Sequence, residues 1–217
     1  MPMNQKIENY KWTSLLDLTK KGLSQFNAVG EKMDCSQLMN NAGLDWNVQM
    51  TPAQSTYDGE TITSDKFFNL VKDKSEILVG GLTNQYHPMQ NNKLAEMGDH
   101  FSKKAGIHFE HCFSYDNDKA ITFLANTNGS FNIGDDVVKN YLMLSNFHTG
   151  RDKSKVNTTN ISIWCSNTYF QALKDNDQFM LSITHRIEFN SDLENLIKSK
   201  IDMALKSNEE YKDQAIA

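Results

Sequence analysis

The chain has 217 residues, 39% hydrophobic and 23% charged, enough apolar content to bury a core in one large domain or two small ones. No run approaches the roughly 20 consecutive apolar residues of a membrane span, and a net charge of -5 argues against a protein that merely coats duplex DNA through many phosphates. The three cysteines, Cys35, Cys112 and Cys165, are scattered with no C-x-x-C spacing, which excludes a zinc ribbon or a thioredoxin-type pair and leaves reduced, largely buried thiols.

Met1 to Trp12 is polar and lacks an apolar h-region, so no signal peptide is expected and a cytoplasmic location is. Residues 1–35 read as a leader segment, 36–206 as one α+β domain and 207–217 as a polar tail. Gln37 to Gly43 has the pattern of a short helix, capped by Ser36 and ended by Gly43. Leu44, Trp46, Val48 and Met50 then alternate with polar residues, as in a half-buried strand. After a turn at Tyr57–Glu60, Lys66–Val71 and Glu76–Gly80 read as two more strands. Lys93 to Lys104 follows as a helix whose apolar residues Leu94, Met97 and Phe101 share one face.

In the second half, Ile107–Phe113 and Ala120–Ala125 flank a turn at Tyr115–Asp118, a hairpin pattern. Tyr141–Leu144 is a continuous apolar run, as in a central strand. Val156–Cys165 and Phe179–Thr184 read as further strands, with a short helix at Tyr169–Lys174 between them. Leu193, Leu196, Ile197, Ile201 and Leu205 predict a long amphipathic helix capped by Ser191 or Asp192. The expected fold is α+β: a mainly antiparallel sheet with a β-β-β-α core and a long C-terminal helix.

No phosphate-binding glycine loop and no G-x-S-x-G motif is present. His108, Glu110 and Cys112 would share a strand face with His111 opposite, but no second ligand cluster completes a metal site, so no metal is expected. The pairs Asp116/Asp118 and Asp135/Asp136 read as ordinary turn or strand-start residues, although such carboxylates can hold magnesium. Cys165 could serve as a nucleophile with His148 or His185 as base, yet its place after Trp164 in an apolar strand suits a structural thiol better.

Two polar segments stand apart. Asn84–Asn91 joins a strand to a helix N-terminus, where anions bind well, and Leu144–Arg151 ends an apolar strand in hydrogen-bonding residues and then a cation. From them, Tyr86, His87, Gln90, Asn91, Ser145, Asn146, Phe147 and His148 are candidate nucleic-acid contacts. Lys139, Arg151, Lys153, Lys155 and Arg186 would supply the phosphate-binding charge. The same residues equally suit a polar turn that satisfies its own backbone and a solvated basic loop.

Ala42-Gly43-Leu44-Asp45-Trp46-x-Val48, Tyr86-x-Pro88-x-Gln90-Asn91, Tyr141-Leu142-Met143-Leu144-Ser145-Asn146-x-His148-x-Gly150 and Cys165-x-Asn167-Thr168 with Ala172 occur in that order. The series resembles the phage/plasmid-like protein family, a domain of unknown function found on phages, prophages and plasmids, over Ser36 to Arg186. The chain departs from that pattern at Ser162, where the family has an arginine, and at Trp164, where it has a small aliphatic residue. Members of that family usually run on through a longer helical C-terminal part. The resemblance implies a bacterial host cell and a role in the DNA metabolism of a mobile element. The strand-strand-strand-helix order further resembles the core of single-strand annealing recombinases.

The leading expectation is therefore a non-enzymatic, homo-oligomeric protein that binds or anneals single-stranded DNA, with no cofactor and no membrane partner. A nucleic-acid- or nucleotide-directed enzyme and a module that binds a host or phage protein are the alternatives.

Overall fold

The structure, a computed structural model, describes residues 12–14, 33–73, 76–133, 136–159 and 179–199. Helix α1 (Cys35–Ala42) starts where Asp34 and Gln37 form a reciprocal capping box: the Asp34 side chain accepts from Gln37 N–H at 2.7 Å, and the Gln37 side chain accepts from Asp34 N–H at 3.1 Å. The cap is thus Asp34, not Ser36. Gly43 ends the helix in the left-handed region with φ 66°, a conformation that disfavours other side chains.

Strands β2 (Val48–Tyr57), β3 (Glu60–Lys72) and β4 (Glu76–Leu82) form an antiparallel three-stranded sheet in chain order. Asp58 and Gly59 both take positive φ, as the tight turn between two right-twisted strands requires. Pro52 is tolerated in β2 because that strand is an edge, paired with β3 alone.

Helix α2 (Asn91–Ala105) follows, burying Leu94, Met97 and Phe101 on the face that their spacing predicts. Both helices lie against the second sheet, α1 on β1 (Trp12–Ser14) and β5 (His108–Tyr115), and α2 on β5, β6 (Ala120–Ile133) and β7 (Asp136–Phe147). That sheet is antiparallel in the order β1-β5-β6-β7-β8-β9, built from Trp12–Ser14, His108–Tyr115, Ala120–Ile133, Asp136–Phe147, Ser154–Thr159 and Phe179–Ile183. Phe123, Leu142, Leu144 and Val156 face the helices in one apolar core that also takes in Leu44, Val48, Leu70 and Leu78 from the smaller-sheet side. Burying each such side chain contributes about 1.5–3 kcal/mol. Trp12–Ser14, within the stretch read as a leader, pairs with β5.

The expected α+β class is corrected. The described fold is mostly antiparallel β in two sheets, and its helices are short. Among the described residues no long C-terminal helix is found: the helix there, α3, covers 191–199 and is capped by the Asn190 side chain, which accepts from Leu193 N–H at 3.0 Å. Only Ile197 on it is fully buried, while Leu196 is 52% exposed, so the apolar spacing overstated the packed face. Ile201 and Leu205 lie outside the described residues, as do Cys165 and Tyr169–Lys174. The sheets were underestimated for a physical reason. β3, β6 and β7 run 13, 14 and 12 residues, well past their apolar stretches, because ladder hydrogen bonds join backbones and do not require apolar side chains. In the other direction, the strand expected from Leu44 begins only at Val48. Among the described residues no helix is long and apolar enough to cross a membrane.

The helices approach closely at Gly98, where a Cβ would stand 2.4 Å from Cys35 Sγ and 3.2 Å from Leu144 Cδ1. In an open helix, replacing glycine by alanine stabilises by about 1 kcal/mol. Here Gly98→Ala is expected to destabilise by about 1–3 kcal/mol, through overpacking. Urea denaturation midpoints of the two proteins check the sign.

Candidate functional site

The two polar segments meet. Thr83–Tyr86, after β4, lies beside Gly150–Lys153, before β8, and beside Thr184–Arg186, after β9, and together they line an open cleft of about 680 Å³. The strand ends converge because Gly150, at φ 75°, packs its bare Cα side on Leu82; a Cβ there would lie 2.4 Å from Leu82 Cδ2. His87 N–H donates to His185 O at 2.6 Å, which ties the first segment to the third.

Arg151, Lys153 and Arg186 line this cleft and are exposed, and among the described residues none of them forms an ion pair. Among the described residues Asp152 is the only carboxylate in the lining, and it accepts from Thr149 Oγ1 at 2.7 Å. Tyr86 supplies the aromatic wall. Its hydroxyl donates to Phe147 O at 3.4 Å, its ring lies 5.2 Å from that of His185, and burial pushes its phenol pKa up. The site is therefore a cationic surface with hydrogen-bonding side chains and one aromatic ring, chemistry suited to anionic, phosphate-bearing ligands.

Most of the other candidate residues are buried. His148, Asn146, Asn91 and Ser145 are essentially inaccessible, and Phe147 is 7% exposed. Gln90 acts as a surrogate strand partner, accepting from Val48 N–H at 3.0 Å and donating to Val48 O at 2.8 Å. Asn91 Nδ2 donates to Leu44 O and Trp46 O at 3.0 and 3.2 Å, which holds the residues before β2 in place of the strand expected there. That orientation leaves Asn91 Oδ1 facing His148 Nε2 at 2.8 Å, so Nε2 carries the proton. Asn146 Nδ2 donates to Met89 O at 2.8 Å, and its Oδ1 accepts from Ser154 Oγ at 2.7 Å. Ser145 pairs with Thr122 across β6 and β7 at 2.9 Å. These amides and hydroxyls bond to one another and to the backbone, and His148 bonds through Nε2; buried, Phe147 and His148 present no face on which a base could stack.

The remaining candidates are dispersed. His87 is half-buried, Lys155 is half-buried on β8, and Lys139 lies on β7 with its side chain outside the described residues. Thr83 and Thr184 line the cleft without having been singled out; Gln85 was singled out only as part of the Asn84–Asn91 segment and His185 only as a possible base. The β5 cluster does not share a face as expected, because a bulge between Phe109 and His111 leaves Glu110 exposed and breaks the alternation. Among the described residues no group of three or more potential ligands could hold a metal ion. Asp118 is instead bonded to Lys72 Nζ and to Ser114 Oγ, joining the two sheets, while Lys72 also lies 4.8 Å above the Trp46 ring. Cys35 and Cys112 are buried, which raises both thiol pKa values and leaves them inert.

Burial lowers the His148 pKa from 6.5 to about 3, and the nearby His185 adds to the shift. The unfolded chain therefore binds a proton here that the folded chain refuses. Stability is fully present above pH 6.5 and drains away as pH falls toward about 3. Between about pH 6.5 and about pH 5 the expected loss from this one group is about 2 kcal/mol. His148→Gln should flatten that slope, which denaturation midpoints at the two pH values would reveal.

No curated protein and no solved structure matches the chain. The family model described as "Domain of unknown function (DUF932)" matches residues 79–217, a span that holds every cleft residue and leaves α1, β2 and β3 outside it. With well over half of its length matched, and with the whole cleft inside that match, the chain belongs to the DUF932 family.

Proposed function

We propose that this chain is a non-enzymatic protein of phage or plasmid DNA metabolism that binds single-stranded DNA through the cleft, in the cytoplasm of a bacterial host. The observation that carries the reading is the convergence of Arg151, Lys153 and Arg186 beside Tyr86 from three separate chain segments. Cations without carboxylate partners, placed next to an aromatic ring, suit a flexible strand whose phosphates meet the charges while a base meets the ring. Duplex DNA suits the surface less well, since a rigid rod needs a broad basic face and this chain carries a net charge of -5. The mobile-element setting is supported by the ordered motifs shared with the phage/plasmid-like proteins.

A cleft of about 680 Å³ has the size of a small-molecule site and accommodates only a short piece of a strand. Binding a long strand, or annealing two, then requires several copies side by side, which supports a homo-oligomer. Each cleft contributes a modest affinity and the array adds avidity.

Binding of an oligothymidine to the full chain, followed by fluorescence anisotropy, should weaken steeply with salt. Each phosphate contact removed should flatten the slope of log K against log salt by about 0.7. Arg151→Ala and Arg186→Ala, at exposed positions that leave the fold intact, should each weaken binding roughly tenfold at low salt. Undiminished binding by the double variant would move the interface elsewhere, and no binding by the unaltered protein even at low salt would refute the proposal.

A further inference from the structure

Resting on the reading of the cleft as a phosphate-binding surface, we propose that His185 is its ligand-dependent cation: it takes up a proton from solvent as the ligand binds and becomes a fourth positive charge in the lining. The reasoning starts from how many hydrogens the network holds. Asn146 must turn its Nδ2 toward the carbonyl of Met89, so its Oδ1 faces Ser154 Oγ at 2.7 Å and takes the only hydrogen of that hydroxyl. Ser154 Oγ then has only lone pairs to offer His185 Nε2, 3.3 Å away. On the other side of the ring, His185 Nδ1 faces a second acceptor, the carbonyl of His87, also at 3.3 Å.

A neutral imidazole has one N–H. Whichever nitrogen carries it, the other sets a lone pair against an oxygen lone pair. The imidazolium satisfies both. Its ring also lies 5.2 Å from that of Tyr86, an arrangement that favours a cation over the aromatic face.

Against this stand burial and the surrounding charges. On its own segment His185 adjoins Arg186; across the cleft it meets Arg151, Lys153 and the opposing Asp152; from beneath, neutral His148; and on the Thr83–Tyr86 side, Tyr86 and the His87 backbone. Burial holds the His185 pKa below its ordinary value, while the His87 carbonyl and Asp152 pull the other way. A phosphate or sulfate group adds negative charge beyond that of Asp152 to a lining that is net positive, and reverses the balance. By linkage, a ligand that raises this pKa binds more tightly as pH falls through the bound-state value, and the gain levels off below the free-state value.

The test uses the full chain with two probes that do not titrate near neutrality: inorganic sulfate, and an oligothymidine whose phosphodiesters stay ionised. NMR titration of the His185 ring, assigned through His185→Gln or, should that variant not fold, through the backbone of the unaltered protein, is expected to show a pKa raised by about one unit or more on binding, a roughly tenfold shift in the protonation equilibrium. Calorimetry in two buffers of different ionisation enthalpy should show net proton uptake near neutrality, and affinity should rise roughly three- to tenfold between about pH 7.5 and about pH 6. In His185→Gln that rise should vanish. Binding of either probe with the His185 titration unmoved overturns the proposal. Sulfate binding with proton uptake but no oligothymidine binding keeps His185 in this role and removes the nucleic-acid reading. Oligothymidine binding without proton uptake does the reverse. Failure of both probes to bind at low salt removes both.

Discussion

The buried hydrogen-bond network around His148 is the constraint on which the site depends. Asn91, at the start of α2, ties the chain before β2 to the ring of His148 just beyond β7, and Asn146 and Ser154 continue the connection through β7 and β8 to His185 after β9. All of these side chains except His185 lie out of water's reach, where an unmade hydrogen bond costs about 1–3 kcal/mol. Such a network tolerates few alternative arrangements, so it fixes the register between the loop that follows the small sheet and the edge of the large one. Two atoms at its margin, Trp46 Nε1 and His148 Nδ1, are buried without a partner among the described residues, one a donor and the other an acceptor, in rings 5.2 Å apart.

The cleft is the outer surface of that network. Tyr86 and His185 belong to both layers: each lines the open space, and each is also bonded to groups held beneath it. The lining is consequently rigid at its floor and adjustable at its rim, where Arg151, Lys153 and Arg186 extend into solvent. Preorganised neutral polar groups under mobile cations suit anions that differ in shape, since the floor sets position while the long side chains adapt. The Lys72–Asp118 ion pair over Trp46 adds a second tie between the sheets, away from the cleft.

Local patterns in the chain were legible wherever the physics is local. The Asp58-Gly59 turn, the Gly43 terminus of α1 and the buried face of α2 all follow from backbone conformation or from spacing within a few residues. The extents of β6 and β7 did not, because a long ladder is decided by the neighbouring strand rather than by the composition of either one. Amide-rich stretches were the most ambiguous. Gln90, Asn91 and Asn146 have the side chains of a ligand-binding loop, and nothing in their order distinguishes that use from the internal stitching they perform. Asparagine and glutamine serve both purposes with the same donor and acceptor.

The amino-acid sequence alone determined which residues could carry charge and hydrogen bonds, where short helices and turns begin and end, and that two polar segments, Asn84–Asn91 and Leu144–Arg151, follow apolar strand patterns. It also determined the overall negative charge against which a small cationic patch stands out. Only the tertiary structure decided that Thr83–Tyr86, Gly150–Lys153 and Thr184–Arg186 share one cleft, and that His148 lies beneath it rather than in it. The reason is physical: whether a polar side chain faces solvent or the interior depends on partners brought close by strand pairing and packing, and those partners lie dozens of residues away along the chain.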